Sequence, residues 1–225
     1  MLISGASRGI GARTALQYAR AGASLTLVAR TQAALDASKE AILRECPSAQ
    51  VFTFPADVRD VKKAEEAVAA TVAHFGRLDI LVANAATVRP MDKRTLGRPH
   101  VYTVITALVA DLFPPPTPQA FASKDPNGWW DVLEVNIRGP YNFIQCGIFI
   151  YALSPAELLI ALLPSFAVPE LLKTKGQVVI LGSGVSQLRL PNMSEYCTSK
   201  HALLRFAEFV TIGEYHVFFF VFHSF

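Results

Sequence analysis

A chain of 225 residues can bury a sizeable core without help from disulfides or a structural metal. Its 52% apolar and 17% charged residues, against a usual charged share of roughly 25%, exclude disorder for most of the length. The 21 Lys+Arg and 18 Asp+Glu leave a net charge of +3, too balanced for a nucleic-acid surface.

Short apolar runs alternate with helical patterns from the start. Leu2-Ile3-Ser4 reads as a strand stub, followed by glycines and an Ala-rich helix from Ile10 to Ala21 that Gly22 ends. Ser24 to Ala29 reads as a second, buried strand. Thr31 is placed to cap a helix running toward Glu45, which Pro47 stops. Val51 to Phe54 reads as a third strand, Asp60 to Phe75 as a third helix, and Asp79 to Ala83 as a fourth strand. This order predicts an α/β fold: a doubly wound, Rossmann-like parallel sheet with helices on both faces, in one domain over residues 1–210.

Regularity loosens between Thr87 and Gly128, where seven of the fourteen prolines fall. Trp129 to about Cys146 looks helical again. Gln177 to Leu181 is a fifth strand, and Ser194 to Val210 a further long helix. Residues 139–172 hold just two charges, Glu157 and Glu170. Pro155, Pro164 and Pro169 interrupt that run, so a buried helix with an apolar insertion is expected over a membrane span. Cys46, Cys146 and Cys197 form no CxxC pair, and Met1 to Gly5 leaves no room for a leader. Both features point to the cytoplasm.

The first chemical motif is Ser4-Gly5-Ala6-Ser7-Arg8-Gly9-Ile10-Gly11, between a strand and a helix. Glycines there let a pyrophosphate approach the unpaired N–H groups that open the helix, although helix entry alone explains one or two of them. At the end of the second strand stand Ala29 and Arg30 rather than an acid. With Arg8, that favours the phosphorylated dinucleotide NADP(H) over NAD(H), since guanidinium pairs bidentately with phosphate. Solvated surface arginines are the other reading of the same residues. Asp57 could touch an adenine edge or be an unrelated loop acid.

The second motif is Tyr196-Cys197-Thr198-Ser199-Lys200. Positions i and i+4 share a helix face, and an ammonium beside a phenol favours the phenolate, making the hydroxyl a usable acid or base. Ser183, thirteen residues earlier at the end of the fifth strand, could add a hydroxyl. The five histidines show no metal-ligand spacing.

Together these motifs resemble the short-chain dehydrogenase/reductase family. The resemblance rests on Gly5-x3-Gly9-Ile10-Gly11, Asp57-Val58, Ala83-Asn84-Ala85-Ala86, Asn136 before Gly139, Ser183, and Tyr196-x3-Lys200. It implies an NADP(H)-dependent oxidoreductase interconverting a ketone and a secondary alcohol, with a small carbonyl or alcohol as partner, and leaves homo-oligomerisation open. By the same resemblance Tyr196 protonates the carbonyl oxygen, Lys200 holds the ribose hydroxyls, Ser183 orients substrate, and Asn136 holds a water linking Lys200 to solvent. Gly5, Ser7, Arg8, Gly9, Ile10, Gly11, Arg30, Asp57, Val58, Asn84 and Ala85 line the cofactor.

The chain departs from the pattern by apparent insertions near 87–127 and 147–166, and by an atypical Phe-rich tail at 211–225. These departures predict a sheet incomplete at its C-terminal edge and poor solubility. Two rival functions follow from them: a catalytically impaired dinucleotide-binding fragment, or a membrane-associated binding protein.

Overall fold

A computed structural model describes residues 1–88, 124–144, 167–188, 190 and 193–212. Its centre is a five-stranded parallel sheet in the order β3-β2-β1-β4-β5. The strands are β1 Leu2–Ser4, β2 Leu25–Ala29, β3 Val51–Pro55, β4 Ile80–Ala83 and β5 Gln177–Ile180. The chain starts mid-sheet, winds out to β3, then crosses back so that β4 lies on the other side of β1. That reversal puts a topological switch point between β1 and β4, at the carboxyl ends of the strands.

Side-chain alternation along the strands divides the core in two. Ile3, Leu25, Leu27, Val82 and Val179 point to the face covered by α1 Gly9–Arg20 and α2 Gln32–Glu45, meeting Ala15, Ala19, Leu35 and Ile42. Leu2, Val28, Leu81, Val178 and Ile180 point to the opposite face. There they meet Ala64, Ala67 and Val68 of α3 Val61–Phe75, together with Phe143, Leu171 and Leu203 from later helices. Strands apolar on both sides are what a parallel sheet between two helix layers requires. Thr26 is the polar exception on β2; its hydroxyl accepts from Thr71 Oγ1 of α3 at 3.0 Å.

Helix α4 Pro126–Leu133 runs through a π turn, Glu134–Arg138, into α5 Gly139–Ile144. Then come α6 Ala167–Thr174 and α7 Ser194–Ile212. The expected helix from Trp129 in fact begins at Pro126. Asp125 accepts from the N–H groups of Asn127 and Gly128 at 3.2 and 2.9 Å, and a proline in the first turn forfeits no helical bond. Asp60 caps α3 in the same way. Thr31 occupies the cap position of α2, but its side chain makes no capping bond, which corrects the expectation. Helix α6 lies in the low-charge run, where prolines blur the periodicity that would announce it.

The apparent insertions and the tail fall largely on residues 89–123, 145–166 and 213–225, outside the described residues, as does Cys146. Among the described residues no helix is long and apolar enough to cross a membrane. Strands β3 and β5 form the two edges of the described sheet.

Candidate active site at the carboxyl ends of the strands

The loop after β1 is shaped by backbone conformation and by close approach. Gly5 and Gly9 have φ of +67° and +58°, the left-handed region that disfavours a side chain. A Cβ on Gly5 would also lie 2.8 Å from both Ala85 Cα and Asn84 Nδ2. On Gly11 it would collide with the Gly5 carbonyl and lie 2.5 Å from Asn84 Nδ2. Asn84 Nδ2 donates to the carbonyls of Ser4 and Gly5 at 2.9 and 3.2 Å. Ser4 Oγ accepts from the N–H groups of Asn84 and Ala85 at 3.1 and 3.2 Å. The ends of β1 and β4 are thus knitted together across the switch point.

Helix α1 opens with Arg8 as its cap residue, but the Arg8 side chain makes no capping bond and the first turn contains no acid. Its leading N–H groups therefore form an electropositive end at the mouth of the loop. Arg8 and Ile10 are exposed there, and Ser7 is half-buried.

Arg30 follows β2 and is exposed. After the next strand, β3, the Asp57 carboxylate is already engaged. Arg59 Nε donates to its two oxygens at 3.1 and 3.2 Å, Nη2 donates at 2.7 Å, and the Arg59 N–H adds a bond of 2.9 Å. The hydrogen bonds from Arg59 hold the Asp57 carboxyl below its ordinary range, against a smaller opposing effect of burial. Val58 is buried against Gly139, and its carbonyl accepts from Asn142 Nδ2 at 2.9 Å.

Tyr196 and Lys200 stand one turn apart on α7, with Lys200 Nζ 5.8 Å from the centroid of the Tyr196 ring. Lys200 is only 3% exposed, and its ammonium donates to the Leu181 carbonyl, beyond β5, at 2.7 Å. Burial lowers its pKa to about 8. Among the described residues no hydrogen bond reaches the Tyr196 phenol. Ser183 is buried in the segment after β5, and its hydroxyl accepts weakly from the Val185 N–H at 3.4 Å, opening a short 3₁₀ turn. No bond joins Ser183 to Tyr196.

Asn136 sits fully buried in the π turn. Its Nδ2 donates to the Thr87 carbonyl and to Ser199 Oγ, both at 2.9 Å, and its Oδ1 accepts from the Thr87 N–H at 2.7 Å. Ser199 Oγ in turn donates to the Tyr196 carbonyl at 2.8 Å. With both of its N–H groups taken, the amide fastens the segment after β4 to α7.

Sequence reasoning missed three of these supports: Ser199, Asn142 and the pair Lys124–Glu195. Glu195 is 3% exposed and forms an ion pair with Lys124. It also accepts from Ser194 Oγ, which accepts in turn from Trp129 Nε1 at 3.1 Å. Burial alone would raise the Glu195 carboxyl, but bonds to Lys124 and the helix end outweigh it and hold the pKa below the usual value. An acid in the first turn of α7 was the one visible signal.

The family model for short chain dehydrogenases matches residues 1–149. An 11-beta-hydroxysteroid dehydrogenase-like protein of Arabidopsis thaliana is 31% identical over 94% of this chain and 53% of its own length. A short chain dehydrogenase of Monascus purpureus is 32% identical over 94% of this chain and 58% of its own. The chain therefore spans little more than half the length of these curated relatives. Among solved structures, an alcohol dehydrogenase of the archaeon Thermococcus sibiricus, complexed with 5-hydroxy-NADP, superposes with a TM-score of 0.72. It is 23% identical, over 99% of this chain and 74% of that one, a likeness of fold. With a parallel sheet wound about a glycine loop and a family match across two thirds of its length, this chain belongs to the short chain dehydrogenase family.

Proposed function

We propose that this chain is an oxidoreductase that interconverts a ketone and a secondary alcohol with NADP(H). The observation that carries the reading is the pairing of Tyr196 with a buried Lys200 ammonium on one helix face. That helix is tied by the Lys200–Leu181 bond to the carboxyl end of β5, the end of the sheet at which the glycine loop follows β1.

The loop fits a dinucleotide. At Gly9 a Cβ would meet nothing within 4 Å, so the outer side of the loop is open, and the electropositive start of α1 beside it suits a pyrophosphate. Gly5, Ser7, Gly9, Ile10, Gly11, Asn84 and Ala85 would border it, with Val58 toward the adenine. When bound, the nicotinamide supplies or accepts the hydride. The chain's own residues manage the proton and the geometry. Tyr196 Oη gives its proton to the carbonyl oxygen or takes one from the alcohol. Lys200 holds the ribose hydroxyls and faces the phenol with positive charge. Ser183 Oγ orients the substrate oxygen, and Asn136 keeps α7 in register through Ser199.

Arg8 and Arg30 are exposed, and β2 is followed by no acid, so a 2′-phosphate meets two guanidiniums. Equilibrium titration should give tighter binding of NADPH than of NADH, and Arg30→Ala should erode the difference. Free Cys46 and Cys197 suit a reducing compartment such as the cytoplasm.

The test of the chemistry is Tyr196→Phe, assayed with NADPH on a panel of aliphatic, aryl and steroid ketones. Turnover should fall by about 10²–10⁴-fold with cofactor affinity unchanged. Undiminished turnover in that variant would remove Tyr196 from the mechanism.

A further inference from the structure

Arg59 touches neither the glycine loop nor Tyr196, yet its hold on Asp57 bears on cofactor choice. Strands β2 and β3 run side by side with Ala29 opposite Pro55, and the Ala56 N–H donates to the Ala29 carbonyl at 2.9 Å. Arg30 and Asp57 therefore leave neighbouring strands at nearly the same level. Among the described residues, Arg30 acts on the Asp57 carboxylate in the same direction as Arg59. Arg59 grips both carboxylate oxygens, with its shortest bond 2.7 Å, and its Nη1 lies 3.8 Å from Asp131 Oδ1 on α4. Held between two acids, the guanidinium is kept beside Asp57.

Without Arg59, Asp57 would be a bare carboxylate at the end of the strand beside the one that Arg30 follows. It would draw that guanidinium toward itself and repel any phosphate bound there. We propose that Arg59 is a positioning residue for cofactor selectivity: by occupying Asp57 it leaves Arg30 available to the 2′-phosphate. The inference rests on the NADP(H) reading above. Any contact of Asp57 with the adenine is common to both cofactors and cancels in the ratio of their affinities.

The experiment titrates the full chain with NADPH and with NADH, in wild type, Arg59→Met, Arg59→Lys and the double variant Arg59→Met/Asp57→Asn. Arg59→Met should weaken NADPH binding roughly three- to fivefold more than NADH binding. Arg59→Lys, which retains the charge, should keep most of the preference and serves as the conservative control. Adding Asp57→Asn to Arg59→Met should restore the wild-type ratio. A ratio unmoved by Arg59→Met overturns the inference, as does a fallen ratio that Asp57→Asn leaves fallen. Equal affinities in the wild type would instead remove the NADP(H) reading, and this inference with it.

Discussion

The two halves of the site are built by different means. Around the glycine loop the work is done by main chain: absent side chains at Gly5 and Gly11, carbonyls held by Asn84, and N–H groups held by Ser4, with the charges left on the surface. Around Tyr196 it is done by buried polar side chains. Asn136, Ser183, Glu195, Ser199 and Lys200 are all nearly inaccessible, and each is bonded to a backbone group, a hydroxyl or an opposite charge. The first half should fail by steric collision, without regard to pH. The second should fail electrostatically, with pH as a control.

The largest effect expected is that of Lys124→Met, which leaves the nearly inaccessible Glu195 carboxylate without its counter-charge. Breaking one side of a buried pair costs about 3–5 kcal/mol, to be read from denaturant unfolding. Adding Glu195→Gln should recover much of it. A loss no larger than that of an exposed pair would break the contrast between the halves.

Lys200 gives the next effect. Its ammonium ionises at about 8 in the fold against an ordinary value of 10.5. Below pH 8 both folded and unfolded chains carry the proton, and folding bears the whole cost of burying it. Between 8 and 10.5 only the unfolded chain keeps the proton, so stability contributed by this group rises with pH. The full span is about 3 kcal/mol, and the rise should vanish in Lys200→Met. Unfolding curves collected from pH 7 to 10.5 check it. Parallel slopes for wild type and variant would contradict the assignment.

Gly11→Ala sharpens the other side of the comparison. Its Cβ meets the Gly5 carbonyl, which is backbone and cannot swing away, so about 1–3 kcal/mol should be lost equally at every pH. Dinucleotide affinity, measured by titration, should fall as well. Gly9→Ala should cost less, about 1–2 kcal/mol: nothing lies within 4 Å of the added carbon, and only the φ of +58° resists. Gly9→Asn should be milder still, since asparagine tolerates that conformation. Equal losses in the two alanine variants would mean that steric room and backbone strain are not separate causes here.

These differences also explain what could be read from the residues. The strands were legible because each is apolar on both faces, and Tyr196 with Lys200 because four positions make one helical turn. Glycines announced the loop, but the reason for Gly11 is Asn84, a residue 73 positions away. Lys124 and Glu195 meet across 71 positions, and neither belongs to a local pattern. Asp57 was visible as an acid after a strand, whereas its capture by Arg59 depends on how a loop folds over two residues. Asn136 was visible by type and by its place before Gly139. That both of its amide N–H groups would be bonded follows from a π turn, which nothing in the Val135-Asn136-Ile137 sequence announces.

That turn makes residue count itself a structural variable. A π turn accommodates one residue more than an α turn, and the surplus is absorbed locally. Deleting a single residue between Glu134 and Arg138 would let α4 and α5 merge into one uninterrupted helix while their flanks stay in phase. Gly139 would keep its contact with Val58, and Asn142 its bond to the Val58 carbonyl. The shortened segment would carry the Asn136 amide away from Thr87 and Ser199. Deleting Val135 or Ile137 would then unfasten α7 from the segment after β4, as Asn136→Ala would, but with the amide itself retained.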